Sequence, residues 1–272
     1  MAVTNFIQTI WAKKIQDALE LKCKLVNNCL CDYEGDVKQA STVKILGVGE
    51  PTIKRYDKNV GIEPEAMSDE GQDLVIDQAN AFAFLVDDID KAQSVPGLAE
   101  EYQRKSVHGL AVARDTYVAG LIKDMAELAI GNVTTAKDNT AEGIKEAIDK
   151  AIVKLRERNF DEEGVIELSP AAYNAFKNNL ITLSTDNPDY IKRGIVGVYD
   201  GFEVAMHNNM AKGGSLVYCD VRGRKAIAFA GQINEVEAFR HSTKFADVVR
   251  GLDTFGAKII DANRIEIITI PA

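Results

Sequence analysis

Asp87-Asp88-Ile89-Asp90 places three carboxylates within four residues. Oxygen ligands packed so closely could hold a hard divalent cation, and a pair of them could share general acid–base work. The run lacks the alternating ligand spacing of a calcium loop, and no glutamate follows at the distance that closes one. The competing reading is a solvated strand end at a junction, where acidic residues face water. On that reading the run binds nothing and no residue of the chain is assigned a catalytic, cofactor-binding or metal-binding role.

Other chemistry-bearing residues are weaker still. Ile45-Leu46-Gly47-Val48-Gly49 begins like a strand entering a glycine-rich dinucleotide loop, but Thr52 stands where a third glycine is needed and Pro51 breaks the turn. Cys29-Leu30-Cys31 lacks the two-residue spacer of metal and redox motifs; with Cys23 and Cys219 it reads as reduced thiols. His108, His207 and His241 are not paired with Cys or with each other at ligand spacing, and His108 is expected to pack beside a helical stripe. No Gly-x-Ser-x-Gly elbow is present. Lys13, Lys14, Lys22 and Lys24 outnumber Asp17 and Glu20 on one predicted helix, which suits docking on an acidic neighbour better than nucleic-acid binding.

The elements around these residues are legible from periodicity. Phe6, Ile10, Trp11, Ile15, Ala18, Leu19 and Leu25 recur at helical steps over residues 4 to 26, and a polar connector is expected from 27 to 40. Strands are expected at 42 to 48 and 52 to 56. Residues 57 to 72 form a polar stretch, and extended structure resumes to Val86. Strands flanking a long polar tip describe an extended hairpin, which has too little apolar surface to stand alone in water. Pro96-Gly97 opens a helix from Leu98 to Ile130, about 50 Å long at ~1.5 Å per residue. Its stripe is Val107, Leu110, Ala111, Tyr117, Val118, Leu121, Ile122, Met125, Leu128 and Ala129. A second helix spans Thr140 to Arg158, with Asn139 and Glu142 approximating a capping box. Val165 to Leu168 is a strand, and Ser169-Pro170 opens a short third helix. Strand, Asp200-Gly201 turn and strand fill 194 to 207. Strands follow at Leu216 to Asp220 and Ala226 to Ala230, joined through Arg222-Gly223-Arg224. The remainder is mostly β, at 236 to 239, 245 to 252, 257 to 260 and 264 to 270.

The chain has 272 residues, 46% hydrophobic and 27% charged, enough to bury a sizeable core. Its formal charge of −9 disfavours tight contact with phosphates. The N-terminus lacks the charged leader and apolar core of a signal peptide, and no apolar run is long enough to span a bilayer, so no membrane partner is expected.

In this order the elements resemble the major capsid (coat) protein of tailed double-stranded DNA bacteriophages, the Hong Kong phage 97 fold. Leu74-Val75-Ile76-Asp77-Gln78, followed by Phe82-Ala83-Phe84-Leu85-Val86-Asp87-Asp88-Ile89-Asp90-Lys91-Ala92-Gln93, is similar to that family's return from its extended loop to its spine helix. Gly194-Ile195-Val196-Gly197-Val198-Tyr199-Asp200-Gly201-Phe202-Glu203-Val204 with Asn208-Asn209 resembles a strand-turn-strand of its axial domain, and Phe255-Gly256-Ala257-Lys258-Ile259 its closing segment.

The resemblance implies an α+β fold with an N-terminal arm (1 to 40), an extended β-hairpin loop (41 to 93), a peripheral domain with a long spine helix (94 to 135 and 232 to 256), and an axial domain with a mixed sheet and flanking helices (136 to 231 and 257 to 272). It implies a non-enzymatic shell subunit forming hexamers and pentamers around packaged double-stranded DNA, without sequence-specific contact. Portal and decoration proteins are further partners, and the subunit would reside in the virion after assembly in the host bacterial cytoplasm. Only about 40 residues precede the loop, which implies a separate scaffolding protein rather than a fused one. Lys44, Lys54 and Lys58 lie in or near the loop, yet no motif implies a covalent cross-link. Two alternatives stand beside this reading: an encapsulin-type compartment shell, and a metal-dependent α/β enzyme using Asp87, Asp88 and Asp90.

Overall fold

The computed structural model describes residues 23–32, 42–45, 71–87, 98–128, 132–183, 197–243 and 245–271. Most of the expected N-terminal helix, the strand at 52 to 56, the polar stretch up to residue 70, and Asp88 and Asp90 lie outside them.

Helix α1, Leu98–Glu127, is the spine. Thirty residues at ~1.5 Å each make a rod of about 45 Å. Val107, Leu110, Ala111, Val118, Ile122 and Met125 are buried, as their spacing of three and four predicts. Tyr117 and Leu121 pack at the margin. The rod stops short of Ile130, and Leu128, counted in the stripe, is exposed. His108 is exposed rather than packed, because it follows the buried Val107 by about 100° of helical turn. Two charged residues, Arg114 and Asp115, take places in the buried stripe.

The spine lies across a three-stranded antiparallel sheet in the order β10 (Ile227–Arg240), β11 (Ala246–Ile259), β3 (Gln78–Asp87). Cross-strand partners share a face. Thus Phe82 opposite Gly251, Phe84 opposite Val249 and Gly231 opposite Phe255 fix one side of the sheet as the side against α1. Phe84 stacks on Tyr102 at 5.8 Å, and Phe255 meets Tyr117 edge-on at 5.6 Å. Periodicity divides β10 and β11 into shorter strands, but both are continuous over fourteen residues. Pairing across the whole length overrides the local break at Gln232 to Asn234, which a register shift between Ile233 and Glu235 absorbs.

A second, mixed sheet runs in the order β4 (Asn132–Thr135), β12 (Ile265–Pro271), β9 (Leu216–Gly223), β5 (Gly164–Leu168), β7 (Phe202–Met206), β6 (Val198–Tyr199), with the short β8 (Lys212–Gly213) also on β9. The β12–β4 and β5–β7 pairs are parallel, the others antiparallel. Helix α2, Ala141–Glu157, packs on β12, β4 and β9 through Ile144, Ala147, Ile148, Ala151, Ile152 and Leu155, all buried as predicted. Its cap is Thr140, whose hydroxyl accepts from Gly143 N at 3.1 Å, rather than the Asn139–Glu142 box. Helix α3, Pro170–Leu183, opens as expected, with the Ser169 hydroxyl accepting from Ala172 N. Asp200 and Gly201 both take positive φ, 50° and 87°, which makes the tight β6–β7 turn.

The described base of the extended hairpin is a separate two-stranded sheet, β1 (Thr42–Ile45) against β2 (Gln72–Val75). Val43, Ile45 and Leu74 bury themselves against Ala228 and Ala230 on the side of β10 away from α1. Only Ile76 and Asp77 separate β2 from β3, so the chain passes from one sheet to the other within two residues.

Candidate functional site

The concentrated chemistry of the described residues is a buried charge junction where residues 23–32, the spine and both sheets meet. Glu167 of β5 stands opposite Asp220 of β9. Arg222, two residues further along β9, shares the face of Asp220. All three side chains are fully buried. The Arg222 guanidinium donates to both Glu167 oxygens at 3.1 Å. It also donates to the Asn28 carbonyl at 2.7 Å and the Leu25 carbonyl at 3.3 Å. The Asn28 side-chain amide completes the ring by donating to Glu167 at 2.8 Å. His207, held by its backbone N–H on the Leu168 carbonyl, brings Nε2 to 3.5 Å from Glu167.

Glu167 and Asp220 compete for one cation. Arg222 Nε lies 3.0 Å from Asp220 Oδ2, but neither Asp220 oxygen takes an aligned hydrogen bond, so Glu167 has the stronger hold on the guanidinium. Burial raises the Glu167 pKa, but Arg222, His207 and the Asn28 amide outweigh it and hold the carboxyl at about 2. Burial and the neighbouring Glu167 charge push Asp220 well above the ordinary carboxylate range, against the pull of Arg222. The junction therefore favours the Glu167–Arg222 ion pair, and the protonated form of Asp220 is the one its surroundings favour.

Asp115 performs a related task from the spine. Its carboxylate accepts from the backbone N–H groups of Lys24, Leu25 and Val26 at 3.1 to 3.2 Å. Helical spacing extends through Leu25, but residues 23–25 are not helical, and Val26–Asn28 is a single 3₁₀ turn. Asp115 takes the donors at the start of that turn, while Arg222 takes carbonyls of Leu25 and Asn28. The expected polar connector is likewise docked at its start: Leu30 donates to Ile227 O at 2.8 Å and accepts from Phe229 N at 2.9 Å. Next to Asp115, Arg114 faces the other way, forming a buried ion pair with Asp253 of β11 and lying over the Phe229 and Phe255 rings.

A third buried carboxylate, Glu266 of β12, accepts from Thr134 at 2.6 Å and Lys154 at 2.9 Å, and pairs with Arg158. It ties α2 to the β4–β12 pair.

Buried groups of this kind join elements: Glu167, Asp220 and Arg222 have fully buried side chains, and Glu266 is buried beneath Lys154 and Arg158. Among the described residues, no three His, Cys, Asp or Glu side chains are grouped to hold a metal. Asp87 ends β3 opposite Ala246. Its side chain, with Asp88 and Asp90, lies outside the described residues, as does Gly47-Val48-Gly49. Cys29 and Cys219 are buried thiols pushed up to about 12 by burial, far from thiolate chemistry at neutral pH.

Sequence reasoning did not single out Glu167, Asp220 or Arg222, since Arg222-Gly223-Arg224 reads as a turn. In the structure, β9 continues through Gly223 and the turn begins at Arg224. The available signal was a lone acid inside Val165-Ile166-Glu167-Leu168 and an Asp-x-Arg pair inside a second apolar strand. Opposite charges in two strands apolar on both faces need each other.

No protein-family model matches this chain, and no curated protein does. Solved structures do. A structure from Mycobacterium phage Che8 superposes with a TM-score of 0.76 at 26% identity, covering 90% of each chain. The capsid structure of cyanophage P-SCSP1u gives 0.69 at 13% identity, covering 86% of this chain and 84% of that one. A virus-like particle from Pyrococcus furiosus gives 0.59 at 10% identity, covering 96% and 99%.

Proposed function

We propose, from the tailed-phage capsid fold that this chain carries over nine-tenths of its length, that it is the structural subunit of an icosahedral bacteriophage head. The observation that carries this reading is the extent of the match. The Che8 structure is covered as fully as this chain is, 90% of each, so the likeness is one of whole chains and not of a shared piece. Copies of the subunit form hexamers and pentamers, and the closed shell holds double-stranded DNA without reading its sequence. A separate scaffolding protein guides assembly, a portal occupies one vertex, and decoration proteins bind outside. Assembly takes place in the bacterial cytoplasm and the product is the virion.

Several features support this reading. The two-stranded hairpin base exposes Val75, and sheets of two strands are marginal alone; a neighbouring copy supplies the missing cover. The net charge of −9 suits a wall that lies near packaged DNA without gripping it. Among the described residues, the buried charged groups join elements of the subunit. We divide it as residues 1 to 40, 41 to 93, 94 to 135 with 232 to 256, and 136 to 231 with 257 to 272. The continuous strands β10 and β11 run across the last two boundaries and make the peripheral and axial parts one piece.

The likeness to a virus-like particle from Pyrococcus furiosus leaves room for a second reading of this chain, as an encapsulin-type compartment shell. Its lower TM-score ranks it second. Expression of the full chain, alone and with its neighbouring scaffold gene, followed by electron microscopy and sedimentation, tests both. Closed particles are the expected product, and copurifying enzyme cargo would favour the compartment. Small soluble oligomers under both conditions would overturn the shell reading.

A further inference from the structure

One contact between the hairpin base and the body admits no side chain. β1 and β2 lie on the side of β10–β11 opposite the spine. Ala228, Ala230 and Gly256 share that side, since Ala230 stands directly opposite Gly256. The two alanines receive Val43, Ile45 and Leu74. Gly256 lies under the crossing from β2 to β3: a Cβ there would sit 2.2 Å from the Val75 carbonyl oxygen and 3.0 Å from Ile76 Cα. Both are backbone atoms, so the clash cannot be relieved by turning a side chain, and the whole crossing would have to rise.

The other side of the crossing is also held. Asp77 accepts from the Tyr117 hydroxyl of the spine at 3.1 Å, and the Tyr117 ring packs edge-on against Phe255, next to Gly256. Gln72 and Lys258 add two bonds between hairpin and body, to Ile260 O at 3.2 Å and Asp73 O at 3.0 Å. Beyond the crossing, β3 pairs with β11 for ten residues and cannot pivot. The direction of β1 and β2 is therefore decided at Ile76–Asp77.

We propose that Gly256 is a positioning residue: by leaving room for the Ile76–Asp77 crossing on β11, with Tyr117 holding the crossing from the spine, it sets the direction in which the extended hairpin leaves the subunit. Resting on the shell reading, this makes position 256 a determinant of how one subunit meets the next.

The test uses the full-length chain as wild type, Gly256→Ala, Gly251→Ala and Tyr117→Phe. Gly251 is the control: it lies on the spine side of the same strand, and the nearest atoms a Cβ there would meet, at 2.5 Å, belong to the Phe82 side chain and not to the backbone of the crossing. In unassembled subunits, Gly256→Ala is expected to raise amide exchange at Val43, Ile45 and Leu74 at least tenfold, with α2 and β5 unchanged. Tyr117→Phe raises the same amides by less, and Gly251→Ala leaves them as in wild type. Under assembly conditions Gly256→Ala yields fewer closed particles or particles of altered diameter. Wild-type exchange and wild-type particles from Gly256→Ala would overturn the proposal, as would equal loosening of the hairpin base by Gly251→Ala. Should Gly256→Ala fail to fold, Tyr117→Phe carries the test, and unchanged exchange in it is the overturning result. If wild type forms no particles at all, the shell reading fails while the exchange comparison still decides the role of Gly256.

Discussion

At the residue scale, the buried charges govern how the subunit responds to substitution and acid. Removing one partner of a buried pair leaves the other uncompensated, which costs about 3–5 kcal/mol. Glu167→Gln should lower unfolding stability in a urea titration at neutral pH by less than that, because Asp220, with its Oδ2 3.0 Å from Arg222 Nε, is left to pair with the guanidinium. The pH profile has two parts of opposite sign. Glu167 is held at about 2 against an ordinary 4.5, so its contribution is complete above pH 4.5 and is lost as pH falls toward 2. Asp220 is raised above an ordinary 3.8, so its contribution is complete below that value and is lost as pH rises through its folded pKa. Asp220→Asn should therefore remove the loss that accompanies rising pH and keep the acid loss; melting temperatures across pH check both. These residues were hidden in the sequence because a charge in an apolar strand shows its partner only when two strands distant in the chain are paired. The acidic run at Asp87 drew more notice because its members are adjacent in the chain.

At the scale of elements, what was legible follows local physics. The α2 face, the Ser169-Pro170 start of α3 and the Asp200-Gly201 turn need only neighbouring residues to be read. What was missed depends on distant ones. Lys24 and Leu25 leave the helical pattern because Asp115, ninety-one residues from Lys24, takes their amides and that of Val26. β10 and β11 run through their pattern breaks because each pairs along the other. The α2 cap makes the distinction testable. Thr140→Ala removes the acceptor for Gly143 N and should destabilise the subunit by about 1 kcal/mol, with Asn139→Ala close to neutral; chemical denaturation of the two variants separates them.

At the scale of the whole molecule, the order of parts was legible as a family resemblance, and the fold agrees with it. How the parts are joined was not, since ion pairs and a two-residue crossing leave no periodic trace. The joints set where the hairpin can be shortened. Gln72 belongs to β2, pairing with Ile45 and donating to Ile260, so the polar stretch can be cut only before it. Deleting residues 57 to 70 should leave the melting temperature of the unassembled subunit close to wild type and abolish closed particles by electron microscopy. Loss of folding would instead make those residues part of the subunit's own core.

The position of β12 in the mixed sheet also imposes a timetable. It lies between β4 and β9, parallel to one and antiparallel to the other, and all but its last residue are buried. It is translated after both of its neighbours. While the ribosome is still upstream of Ile265, β4 has no strand beside it among the described residues, β9 lacks one of its partners, and the carboxylate that ties α2 to this edge has not been made. Contacts this distant in sequence are slow to form. The mixed sheet can therefore close only after Ile265–Pro271 has emerged, and until then the nascent chain stays an unfinished subunit.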